Sequence, residues 1–130
     1  MDPPASASPK ALSAILDADV VVLGPGDLYT SIIPNLLVTG VPQVLAATQA
    51  TRIYVCNLMT KLGETDDFKV SDFVGEIIRY MGGPSLDWVM VNTQEVSLEY
   101  VRLTWLRKLS RWSPIWNWYE GRSLECWPHA

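Results

Sequence analysis

The sequence predicts an α/β protein: an incomplete Rossmann-like three-layer parallel sheet, of about three strands with flanking helices. Three short runs, Val20-Val21-Val22-Leu23, Ile53-Tyr54-Val55-Cys56 and Trp88-Val89-Met90-Val91, are apolar and rich in β-branched or aromatic residues. They lack polar alternation, as strands buried on both faces do. Helical segments stand between them, and strand, helix, strand, helix, strand is the order of a parallel sheet.

The elements follow in order. Residues 1–8 are rich in Pro, Ala and Ser and read as a disordered linker. Ser8-Pro9 supplies a hydroxyl cap and a proline at the first helical position, and Leu12, Ile15 and Leu16 continue as one apolar stripe. The first strand ends at the turn Gly24-Pro25-Gly26-Asp27. Ser31 and Pro34 suggest the next helix start, Gly40 and Pro42 interrupt it, and it resumes from Val44 to Ala47. After the second strand, residues 57–67 read as a polar loop. Val70, Phe73, Val74, Ile77, Ile78 and Met81 then recur with a 3.6-residue period until Gly82-Gly83-Pro84 stops the helix.

Composition narrows the function classes. The 130 residues are 48% hydrophobic, enough for one domain with a core. No apolar run approaches the roughly 18 residues of a membrane span, and the first residues lack a signal-peptide pattern. A cytoplasmic protein with no integral membrane segment is therefore expected. Two cysteines, Cys56 and Cys126, and one histidine, His129, exclude a Cys/His zinc cage and a histidine-based catalytic triad within the fold. Cys56, inside an apolar strand, reads as an inert core thiol. The net charge of −4 argues against nucleic acid as a partner. That charge is divided: residues 1–100 carry −7 and residues 101–130 carry +3, with five of the six tryptophans in the second stretch.

All three apolar runs end in small or polar residues, and in open α/β sheets ligands bind beyond the carboxyl ends of the strands. Gly24 and Gly26 let backbone amides approach a ligand, while Asp27, Tyr29, Thr30 and Ser31 lie where a helix begins. A helix N-terminus favours an anion, so phosphate is the expected ligand group. Taken alone, Gly-Pro-Gly is more simply explained as a plain strand-to-helix turn. Asn57 and Thr60 would line the cleft from the second strand, and Asn92 would close it. Of the second-loop oxygens, which include Glu64, Thr65, Asp66 and Asp67, two or three could hold Mg²⁺ beside a diphosphate. Asp27 and Asp66 are the candidate ligands of such a metal. For Asp66 and Asp67 a solvated loop capping the next helix is the simpler reading.

The stretch from Ala18 to Val38, through Gly24-Pro25-Gly26-Asp27-Leu28-Tyr29-Thr30-Ser31-Ile32-Ile33-Pro34-Asn35, resembles one family. It comprises the gluconeogenesis factors and the 2-phospho-L-lactate transferases, called CofD-like. The resemblance continues through Val55-Cys56-Asn57-Leu58-Met59-Thr60, Gly63-Glu64-Thr65 and Val91-Asn92-Thr93. It implies a Rossmann-like fold that binds a phosphate-bearing ligand, in which Tyr100 joins Asn92 in closing the cleft. On the gluconeogenesis-factor side, which these runs favour, it implies a UDP-sugar-binding regulator of carbon metabolism, cell-envelope synthesis and cell shape, with no catalytic residue. On the other side it implies a phospholactyl transferase of deazaflavin coenzyme biosynthesis that uses Mg²⁺ and a guanosine nucleotide. This chain departs from the family in having no Gly-Gly-Gly-Thr-Gly loop, and in having Thr39, Lys61-Leu62 and Phe73 where Pro, Gln-Pro and often His are usual.

These points set the expected organisation: a partial nucleotide-sugar-binding domain over residues 9–97 and a Trp-rich basic tail over 98–130. In the tail, Leu98, Val101, Trp105, Leu106 and Leu109 would form an amphipathic stripe beside Arg102, Arg107, Lys108 and Arg111. The tryptophan cluster and the charge reversal where the resemblance stops favour translation out of frame as the origin of that tail over an amphipathic helix on a membrane surface. A truncated chain with half a cleft would bind nothing, and exposed sheet edges would favour self-association.

Overall fold

A computed structural model describes residues 4–83, 86–92 and 112–114. Helix α1 spans Pro9–Leu16; Ser8 caps it, its hydroxyl accepting the Ala11 N–H at 3.2 Å. Ahead of it, residues 5–7 run alongside Thr39, whose carbonyl accepts the Ala7 N–H at 3.0 Å. Strand β1, Val20–Leu23, leads through the glycine turn into a helix that starts at Leu28, three residues earlier than Ser31 suggests. Its opening, Leu28–Ile32, is wound as a π-helix in which the Ile32 N–H reaches the Asp27 carbonyl at 3.0 Å. It then tightens into α2, Ile33–Leu36, where Pro34 sits in the first turn. Gly40 and Pro42 begin a new helix, α3, Val41–Ala47, rather than resuming an old one.

Strand β2 covers Thr51–Val55. The segment read as polar loop contains a short strand, β3, Met59–Lys61, which pairs antiparallel with β5, Trp112–Pro114. Three residues of mixed polarity give no periodic signal, so pairing alone makes β3 a strand. Helix α4, Val70–Met81, has the expected bounds. The Asp72 carboxylate accepts the Lys69 N–H at 2.7 Å at its N-terminus, and Gly82 ends it in the left-handed conformation. Asp66 and Asp67 do not cap it. Asp66 instead accepts the Gly63 N–H within the loop, and Asp67 turns the chain at φ +58°. Strand β4 follows as Trp88–Met90.

The main sheet is parallel, in the order β1-β2-β4, with Leu23 opposite Tyr54 and Tyr54 opposite Val89. At its lower edge Arg52 and Asp87 make a two-point ion pair, Nε–Oδ2 2.9 Å and Nη2–Oδ1 3.1 Å. The same carboxylate accepts the Arg52 N–H at 2.7 Å, which fixes the start of β2 against that of β4. Leu23, Leu28, Ile32, Ile33, Leu36, Tyr54, Phe73, Ile77 and Met81 make the core between this sheet and the packed helices α2, α3 and α4.

Among the described residues, helices cover one face of the sheet in this way. The chain steps from β1 to β2 to β4 in a single direction, and two crossovers of the same hand place both helical connections on the same side. On the opposite face Val20, Val22 and Met90 are 49%, 57% and 54% exposed. Strands buried on both faces were expected, and the described residues form two layers of the three. Residues 98–109 with their apolar stripe, and Tyr100, lie outside the described residues.

Candidate functional site

The carboxyl ends of the three parallel strands share one edge, and two interactions tie the first two loops together there. Gly24 leaves β1 at φ +85°, and a Cβ on it would lie 2.9 Å from the Val55 carbonyl oxygen of the neighbouring strand. Only glycine fits that approach. Two residues on, the Gly26 N–H donates to the Asn57 side-chain oxygen at 2.9 Å. The Asp27 carboxylate then takes the Lys61 ammonium at 2.6 Å. β4 joins them through the Cys56 N–H, which donates to the Met90 carbonyl at 2.9 Å; the exposed Asn92 follows two residues later.

The expected site residues divide on this frame. Gly24, Gly26, Asp27, Asn57 and Asn92 lie on the common rim. Thr30 and Ser31 are exposed in the first helical turn; the Ser31 N–H donates to the Asp27 carbonyl at 2.9 Å, and the Thr30 hydroxyl donates to the Asp27 carboxylate at 3.3 Å. Tyr29 is turned away: its hydroxyl donates to Glu76 of α4 at 3.1 Å, and burial first, then this bond, raise its pKa. Thr60 is on β3 but buried. The Tyr54 hydroxyl is enclosed under the turn, beside the Cys56 thiol and the Asn57 amide, without a well-formed hydrogen bond among the described residues. Burial pushes the Cys56 thiol up to about 11, in keeping with an inert core cysteine.

Lys61 is the rim residue that sequence reasoning passed over. Its ammonium also meets Glu64 at 2.5 Å, so it bridges two carboxylates. Those bonds, that to Asp27 first, raise its pKa and keep it protonated. The spacing of Lys61 to Glu64 was visible as a local pair, but the partner 34 positions earlier in sequence was not.

The residues present do not suit the Mg²⁺ of the transferase reading. Asp27 is engaged by Lys61, and Asp66 is turned to the Gly63 amide. Among the described residues no three Asp, Glu, His or Cys side chains converge, although Mg²⁺ beside a diphosphate takes only one or two carboxylates. No helix among them is long and apolar enough to cross a membrane.

A parallel α/β sheet whose strand ends meet at a glycine-bearing rim defines a Rossmann-like domain. Residues 1–113 match the family model described as 2-phospho-L-lactate transferase CofD, and the chain belongs to that family. A relative from Thermotoga maritima named "Putative gluconeogenesis factor" is 50% identical over 99 residues, which is 76% of this chain and 31% of that protein. A protein of the same name from Clostridium acetobutylicum is 49% identical over 68% of this chain and 20% of its own length. The crystal structure of a UPF0052-family protein from Bacillus halodurans superposes with a TM-score of 0.77 at 35% identity, over 85% of this chain and 34% of that one. The chain thus spans between 20% and 34% of the length of these relatives.

Proposed function

We propose that this chain contributes the diphosphate-binding rim of a nucleotide-sugar-binding regulator, with a UDP-sugar as ligand. Its role would be cytoplasmic control of carbon metabolism and cell-envelope synthesis, and with it of cell shape. The reading rests on one observation above the others: the Gly26 amide held on Asn57 across two strand ends. That bond engages the Gly26 N–H itself, and it fixes a glycine turn, the start of a helix at Leu28 and the second loop around one edge, where the amides that begin the helix suit a phosphate. Gly24 and Gly26 would let the backbone close on the diphosphate, Thr30 and Ser31 would donate hydroxyls, and Asn57 and Asn92 would face the remainder of the ligand. Thr60 and Tyr29 would act from behind, by holding the second loop and the first helix in place. Tyr100 would close the cleft towards the sugar or base.

The name "Putative gluconeogenesis factor" of the similar proteins from Thermotoga maritima and Clostridium acetobutylicum favours the gluconeogenesis-factor side over the transferase, as does the engagement of Asp27 by Lys61. Self-association through the edge strands β1 and β4 would be compatible with this role. Calorimetric titration of the full chain with UDP-N-acetylglucosamine tests it. Saturable binding is expected, with a rise in melting temperature, since a ligand at a hundredfold excess over Kd stabilises the folded state by about 2.7 kcal/mol. Absence of both heat and thermal shift, or preference for GDP, would count against the reading.

A further inference from the structure

The carboxylates of Asp27 and Glu64 come from different loops and face each other across a gap filled by one group, the Lys61 ammonium, at 2.6 Å and 2.5 Å. Two carboxylates beside a phosphate cradle are what Mg²⁺ uses when it binds together with a diphosphate. Here a lysine stands between them. It is anchored on β3, its partner Asp27 follows directly on the Gly26 amide, and Thr30 donates to the same Asp27 oxygen. An ammonium neutralises one of the two carboxylates and carries N–H donors that a phosphate oxygen accepts in a charge-assisted bond. A divalent ion entering the same gap would have to displace it.

Building on the diphosphate reading above, we propose that the site takes its ligand without a divalent ion, Lys61 supplying an ammonium N–H donor at the rim in its place. Lys61 is then a binding residue, and the ion pairs with Asp27 and Glu64 hold it in place before the ligand arrives.

The test is calorimetry of the full chain with UDP-N-acetylglucosamine, in MgCl₂ and again in EDTA. Affinities within about twofold of each other are expected, and Lys61→Gln is expected to weaken binding in EDTA by roughly tenfold, the loss of one charge-assisted hydrogen bond. Binding by the unaltered chain that disappears in EDTA would overturn the metal-independent site and leave the diphosphate reading standing. A Lys61→Gln variant that melts like the parent and binds in EDTA with equal affinity would overturn the role of Lys61. No binding in either buffer would overturn the diphosphate reading and this inference with it.

Discussion

At Gly24 the backbone leaves no room for a side chain. The residue combines φ +85° with a neighbouring carbonyl that a Cβ would approach to 2.9 Å, so Gly24→Ala must strain both β1 and β2. A stability loss of about 2 kcal/mol is expected from the left-handed backbone and the displaced strand, read from urea unfolding. Ligand binding should fall as well, because the Gly26 amide that follows would move off Asn57. An alanine variant with unchanged unfolding would show that the turn is an ordinary linker. The glycines and Asn57 were legible as single residues of the turn and loop. That they are hydrogen-bonded to one another was not, since 31 positions separate them. Tyr29 was misplaced for a related reason: Glu76, which holds its hydroxyl, lies on another helix.

Among the elements, α4 was the plainest in the sequence, because its apolar positions kept one period over three turns. The structure buries Phe73, Ile77 and Met81 from that stripe almost completely. Ile77→Ala should therefore cost about 3 kcal/mol by leaving a cavity between α4 and its neighbours, measured as a lower urea midpoint at unchanged slope. A loss below about 1 kcal/mol would mean that the helix is held elsewhere than through this face. The shorter elements were harder to see. The π-helical start at Leu28 depends on an i to i+5 hydrogen bond that no residue type announces. β3 is three residues long and takes its partner from positions 112–114.

In the molecule as a whole, parallel order and strand direction were readable from the alternation of apolar runs and helical periods. The layers were not. Apolar character on both sides of β1 was taken for burial on both sides, yet Val22 remains 57% exposed because both crossovers fall on one face. Sequence pattern records which residues are fit to be covered, while the path of the chain decides which are. The gathering of Gly26, Asn57 and Asn92 at one edge depends on that same path, and the proposed role depends on that gathering. Backbone amide NMR of the full chain during titration with UDP-N-acetylglucosamine tests it most directly. The amides of Gly26, Thr30, Asn57 and Asn92 should shift together with one saturation curve. Shifts confined to the opposite edge, at Asp19, Thr51 and Asp87, would contradict the account.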